Sequence, residues 1–246
     1  MKNIRNFVAF IVCLQLFSCD DPIQELVVPI VNCNLERIDS WYGTEDTARR
    51  DSIVYGADGK MQKGYRFIKP PGQDWEYDET RVYTYFDKGM SIKITRGSNQ
   101  NVVRTGTFVF NDENNLLEFY DDFFARRYKY NYNAEHVLES LDSSIRYVVK
   151  DGNITQRIDI ATGNVIDTFT YDRTPNPLHG LFFEPIGADE RDYFKFYNKN
   201  NVFTEDPANV LMPNKTFIYS YATNGLATSK LRYGTDQVFN YIYKCK

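Results

Sequence analysis

Tyr219-Ser220-Tyr221-Ala222-Thr223-Asn224-Gly225-Leu226 is the stretch that decides the fold. Tyr219 and Tyr221 stand two residues apart, so in a strand they share one face. Asn224 and Gly225 tolerate the positive φ that a tight reversal demands. Leu226 then opens a second strand. The segment reads as one β-hairpin with an aromatic face.

The same order of residues recurs. Val82-Tyr-Thr-Tyr85 is followed by Gly89 and Ile92. Phe108-Val-Phe110 is followed by Asn114, Asn115 and Leu116, and Tyr130-Asn-Tyr132 by Val137 and Leu138. Looser copies are Val54-Tyr55 with Gly59 and Met61, Tyr147-Val-Val149 with Gly152 and Ile154, and Phe169-Thr-Tyr171; Phe239-Asn-Tyr241 is a terminal half-copy. Asp58-Gly59 and Asp151-Gly152 are the strongest local turn signals. The copies fall about 20–30 residues apart, a degenerate repeat and not a strict solenoid. Aromatics form 16% of the chain, and such residues favour a pleated, half-buried surface. Cross-strand ladders account for them more simply than a sugar-stacking face does.

A long series of neighbouring hairpins predicts an all-β fold: an antiparallel meander, with at most a short helix. A sheet of that length must coil or close. The expected form is a strongly curled open sheet or half-barrel, as a single domain over residues 33–246. One irregular insertion breaks the series at about 173–213, where Pro175, Pro177, Pro185, Pro207 and Pro213 rule out a central strand. Within it, Ala188–Lys199 reads as a short helix. Such an insertion is either a functional loop or a cap over a sheet edge.

The N-terminus has a different character. Lys2 and Arg5 precede an apolar run from Phe7 to Phe17, which ends in Leu16-Phe17-Ser18-Cys19 before Asp20, Asp21 and Pro22. That is the layout of a secretory signal, and the run is shorter than the roughly 20 apolar residues of a spanning helix. It resembles the lipobox of a bacterial lipoprotein. The resemblance implies a signal peptide over 1–18, lipid on Cys19, and an acidic tether over 19–32 with a first strand around Leu26–Val31. Asp20-Asp21 resembles the surface-export signal of Bacteroidota lipoproteins. Cys13 leaves with the signal, so Cys33 and Cys245 are the remaining thiols. An exported chain with two thiols usually pairs them, which would clamp the first strand of the domain to the last.

Tyr-x-Tyr-x-x-x-Gly-Leu also resembles the YD repeat of Rhs-type proteins. More closely, the chain is similar to a Bacteroidota lipoprotein family of unknown function with YD-like hairpins. The matching landmarks are Cys33-Asn34-Leu35 at the start, Tyr171-Asp172 with Asn176-Pro177-Leu178 and Asn200-Asn201-Val202 at the break, and Tyr241-Ile-Tyr243-Lys-Cys245 at the end. The resemblance implies the hairpin fold and no established activity.

Several chemistries have no foothold. Losing Lys2 and Arg5 with the signal takes the formal charge from −4 to −6, which offers no electrostatic footprint for nucleic acid. His136 and His179 are the two histidines and lack ligand spacing, so neither a metal nor a cofactor is expected. There is no nucleophile elbow or phosphate-binding loop. Asp112-Glu113, Asp121-Asp122 and Asp189-Glu190 sit where turns or solvated edges are expected. A carboxylate hydrolase is therefore the weakest reading, and no catalytic residue is assigned.

Trp41 and Trp75 are the candidate ligand-binding residues. Trp41-Tyr42 precedes a charged stretch open to a helical reading. Trp75 ends the loop Pro70-Pro71-Gly72-Gln73-Asp74, where an indole can stack on a sugar or plug a core. The sequence thus points to an envelope lipoprotein held to the outer membrane through Cys19. It would face the cell surface, with the periplasmic face as the alternative, and bind a glycan, peptide or protein without catalysis. A structural or protective role is the alternative.

Overall fold

Each Tyr-x-Tyr hairpin expected from sequence is present, and a hydroxyl clamp shows why the spacing recurs. The structure, a computed structural model, describes residues 33–42, 47–97, 101–135, 137–142, 144–186, 193–208 and 214–245. The chain divides into two compact units, Met1–Val31 and Asn32–Lys246, and the second holds every described strand. The signal segment, Cys19, the tether, the Leu26–Val31 strand, His136 and Asp189-Glu190 lie outside the described residues.

Sixteen strands are described. The first eight are β1 (Cys33–Tyr42), β2 (Thr47–Tyr55), β3 (Met61–Lys69), β4 (Glu76–Phe86), β5 (Gly89–Arg96), β6 (Asn101–Phe110), β7 (Leu116–Asp121) and β8 (Arg126–Tyr132). The rest are β9 (Leu138–Leu141), β10 (Ile145–Lys150), β11 (Asn153–Asp159), β12 (Val165–Pro175), β13 (Asn200–Pro207), β14 (Lys215–Tyr221), β15 (Ala227–Arg232) and β16 (Val238–Cys245). Every strand pairs antiparallel with its sequence neighbours. β1 also pairs with β16, from Cys33↔Cys245 to Trp41↔Val238, and this closes a barrel. The expected open sheet is thereby corrected. Joining β1 to β16 satisfies the backbone donors and acceptors that two free edges would leave exposed, and a Cys33–Cys245 disulfide fastens the seam.

The repeat has a physical cause. Tyr55 in β2 donates its hydroxyl to the carbonyl of Leu35 in β1 at 2.8 Å. Tyr132 in β8 does the same to Leu116 in β7 at 2.9 Å. Tyr219 in β14 reaches Val202 in β13 at 3.0 Å, Tyr243 in β16 reaches Ala227 in β15 at 2.8 Å, and Tyr171 in β12 reaches Ile154 in β11. In each case a tyrosine of an even strand fastens onto an apolar residue near the start of the preceding odd strand. Phe110 and Val149 occupy the equivalent places in β6 and β10 and pack against the core. The repeating unit is therefore a two-stranded hairpin with an internal tyrosine clamp. At the β10–β11 turn Asp151 and Gly152 take φ of 53° and 78°, the pair of positive values that a two-residue reversal needs.

The insertion does not cap a sheet edge, because the closed barrel has none. β12 and β13 take in 173–175 and 200–207, including Pro175 and Pro207, so between these two strands the described irregular residues are 176–186 and 193–199. They do not loop outward. Its Phe182, Phe183, Ile186, Tyr193, Phe194 and Phe196 are buried in the same core as the inward strand residues. Phe182 packs against Phe108 and Phe110, Tyr193 against Tyr130, and Phe194 against Phe169 and Tyr147. The segment is a plug inside the barrel. Of the expected helix Ala188–Lys199, residues 188–192 lie outside the described residues, and a single turn, α1 (Phe194–Tyr197), is described. The charged stretch after Trp41 is the strand β2 and not a helix, because Arg49, Asp51 and Ile53 alternate onto one wall.

The outer wall carries polar cross-strand pairs beside apolar ones such as Ile218–Leu231 and Leu231–Val238. Thr170 and Thr204 bond side chain to side chain across β12 and β13 at 2.6 Å, as do Asn131 and Ser140 across β8 and β9 at 3.0 Å. Arg127, Lys129 and Asn131 of β8 are exposed while Tyr128 and Tyr130 are buried.

Candidate functional site

Charged side chains are rare in cores because burying an unpaired charge is costly. Here a row of them faces the lumen. In β2, β3 and β4 the inward positions include Arg49, Asp51, Arg66, Glu79 and Arg81. Asp51 lies opposite Arg66, which lies opposite Glu79. The plug brings Glu184 into their midst.

The network is closed by short contacts. Asp51 accepts from Arg49 at 2.6 Å, Arg66 at 3.0 Å and Arg81 at 2.9 Å. Glu79 accepts from Arg81 at 2.7 Å and stands 3.2 Å from Arg66. Glu184 accepts from Arg49 at 2.9 Å, Arg66 at 3.1 Å and Lys195 at 2.6 Å. Burial pushes the Glu184 carboxyl up, but Lys195, Arg49, Arg81 and Arg66 outweigh it and hold it well below the carboxylate range. Asp51 behaves likewise: burial raises it, while Arg81, Arg49 and Arg66 bring it below its ordinary value. Burial alone would lower Arg81, yet Asp51, Glu184 and Glu79 raise it, so its charge is held.

Main-chain bonds seat the plug beside this network. Tyr83 donates its hydroxyl to the carbonyl of Phe183 at 2.5 Å, and Arg104 donates to Ile186 at 2.9 Å. Gly64 stands on the neighbouring strand, where a Cβ would come within 3.0 Å of the Tyr83 hydroxyl. Its bare backbone leaves room for that bond. Arg104 also pairs with Asp121, which is fully buried. The expectation that Asp121 marks a solvated turn is corrected: its parity in β7 points it inward, while Asp122 bonds Thr105 at the strand end.

Two chambers flank Glu184 and Pro185. One, of about 230 Å³, is lined by Arg66, Glu79, Arg81, Arg96 and Arg104 with Phe123. The other, of about 430 Å³, has Arg49, Lys195, Lys230, Phe183, Phe239 and Tyr241 among its walls. A third cavity, of about 530 Å³, lies near the Cys33 end, between hairpin turns and the plug. His179 lines it, and its Nδ1 is 2.8 Å from the carbonyl of Tyr197. Among the described residues no cluster of metal-ligating side chains occurs.

The candidate tryptophans are elsewhere, on the outer wall. Trp41 ends β1, pairs with Ala48 and Val238, and is half-buried. Trp75 precedes β4 and is half-buried, with the Arg50 guanidinium 4.3 Å from its ring centre. Arg50 in turn donates to Asp39 at 2.8 Å. The barrel thus places both indoles on one stretch of wall and ties one of them down. The lumenal charges went unassigned in the sequence. Their signal is parity: Glu79, Arg81 and Tyr83 share one face.

No protein-family model and no curated protein matches the chain. Among solved structures it is similar to a porin-like protein from Bacteroides uniformis, with 16% identity and a TM-score of 0.55 over 85% of this chain and 96% of that one. Segments of two larger assemblies also match, the TcdB2-TccC3-Cdc42 complex at 12% identity and the Photorhabdus luminescens Tc holotoxin pore at 14%. Both have a TM-score of 0.30 and are covered over only 14% and 12% of their chains. The first likeness is one of fold; the other two are too slight to bear on this chain.

Proposed function

We propose that this chain is a non-catalytic, lipid-anchored protein of the cell envelope whose barrel stands in water and binds a partner, and that it is not a diffusion pore. One observation carries the reading: the described plug residues 176–186 and 193–199 occupy the lumen, and polar cross-strand pairs such as Thr170–Thr204 and Asn131–Ser140 lie on the outer wall. A membrane-spanning barrel has the reverse arrangement, with an apolar outer band around a polar interior. Anchoring is then left to the lipid expected on Cys19. The tyrosine clamps also support descent from hairpin repeats of the YD kind. We assign partner contact to the rim opposite Cys33, at the β7–β8 turn, where Phe123 and Phe124 are 65% and 46% exposed. Apolar groups on loops held by a rigid scaffold suit recognition of a glycan, peptide or protein.

The test is fractionation and conductance. Wild-type protein should enter the detergent phase with the membrane. Cys19→Ala should be released, purify without detergent and give no conductance in planar bilayers. A released variant that still demands detergent, or steady channel currents, would overturn the proposal.

A further inference from the structure

Three lysines approach the lumen from β14, β15 and the plug. Lys195 holds Glu184 at 2.6 Å, and Lys215 holds Glu205 at 2.7 Å. Lys230 has no ion pair and no hydrogen bond among the described residues. Its ammonium stands 4.0 Å from the ring centre of Phe217 and 5.9 and 5.8 Å from those of Tyr219 and Phe239. Tyr219 and Phe239 are its direct cross-strand partners, so the strands themselves fix this geometry. Burial pulls the ammonium down to about 8; Glu205 opposes that, while Lys195 and Lys215 add to it. These charges leave one cation over, on the wall of the chamber of about 430 Å³.

We propose that this chamber holds a small organic monocarboxylate, with its carboxylate on Lys230 and its apolar body against Phe183, Leu178, Ile38 and Tyr241. A buried cation without a counterion is unfavourable, and a bound anion removes that cost. The spare charge is single, because Arg49 and Lys195 are engaged by Glu184. A monoanion therefore fits better than a phosphate dianion. The chamber has the volume of ordinary small-ligand sites and mixes apolar wall with a few polar groups, as they do. Arg49 and Lys195 keep about a quarter of their side chains exposed, so solvent reaches it. The proposal does not rest on the envelope reading.

The mature chain is titrated calorimetrically with hexanoate, benzoate, inorganic phosphate and, as a cationic control, butylammonium. Expected is saturable one-site binding of a carboxylate, weakened about tenfold or more in Lys230→Met and unchanged in Lys93→Met on the outer wall. Binding should also fade above about pH 8, as the ammonium loses its proton among the charged groups around it, Asp51, Glu184, Glu205, Arg49, Arg104, Lys195 and Lys215. Circular dichroism of Lys230→Met matching wild type makes loss of binding in it read on the site. Three results would overturn the proposal: no carboxylate binding to the wild type up to about 10 mM, equal binding by Lys230→Met, or preference for phosphate. Any of them leaves the detergent and conductance results untouched, so the two readings fail separately.

Discussion

Glu184→Gln tests whether ion pairs lock the plug into the barrel. Glu184 lies 2.6 Å from Lys195, 2.9 Å from Arg49 and 3.1 Å from Arg66. Removing one partner of a buried network strands the others, at about 3–5 kcal/mol. Three facts move the expectation down. Arg49 keeps Asp51 at 2.6 Å, Arg66 keeps Asp51 and Glu79, and these cations retain some exposure to water. Gln also keeps an acceptor. A loss of about 2–3 kcal/mol at pH 7 is expected from urea unfolding followed by circular dichroism and tyrosine fluorescence. The pH dependence has a definite sign. The Glu184 carboxyl sits well below its free value of 4.5 in the folded chain, so on acidification the unfolded state takes the proton first. Its contribution is full above pH 4.5 and is lost as the pH falls through the depressed folded value. The gap between wild type and variant should therefore narrow on acidification. A loss below about 0.5 kcal/mol at pH 7, or a gap that stays constant down to pH 3, would refute the lock.

Three further outcomes are expected. Reducing the Cys33–Cys245 bridge, which spans 212 residues, should cost about 2–4 kcal/mol, short of the roughly 5 that loop closure alone suggests; an unchanged midpoint in denaturant with reductant would contradict it. Tyr132→Phe removes a clamp and leaves the Leu116 carbonyl without its hydroxyl donor, for a loss of about 1–2 kcal/mol in the same unfolding assay, whereas Phe at exposed Tyr233 should change nothing. Lys230→Met should stabilise the apo protein: the folded ammonium releases its proton at about 8 and the free one at 10.5. Wild type then carries a cost of up to about 3 kcal/mol below pH 8 that shrinks as the pH rises toward 10.5, and a stability advantage of the variant over wild type no larger at pH 7 than at pH 10 would speak against it.

The hairpins were legible because their causes are local. In Tyr219–Leu226 parity, turn chemistry and the opening apolar residue all lie within eight positions. Closure was not, since β1 meets β16 across the whole domain; only Cys33 and Cys245 hinted at the seam, and they did so through redox chemistry and not through pairing. The helical reading after Trp41 failed where charge masked alternation: Arg49 and Asp51 share the inward face of β2 with Ile53, so a polar-looking run is a core strand. Asp121 misled for the same reason. Such inward charges become acceptable only when the plug supplies Glu184, which lies more than 100 residues away from Arg49, Arg66 and Arg81. No window of sequence contains that compensation.

Barrel size links these features. Strand side chains alone fill a barrel of about eight strands, while one of sixteen leaves a channel unless something occupies it. The hairpin clamp is indifferent to how many copies succeed one another, so it cannot by itself decide between a pore and a filled body. The break between β12 and β13 is where occupancy of the lumen enters, through its described residues 176–186 and 193–199. Its aromatic residues meet Phe108, Phe110 and Tyr130 on one side of the lumen. On the other side it presents a carboxylate to arginines that the strands alone leave in excess. One of the remaining spaces lies at the Cys33 end, and two lie between these halves, around Glu184 and Pro185. That is where water, and any small anion, has room to enter without displacing the plug.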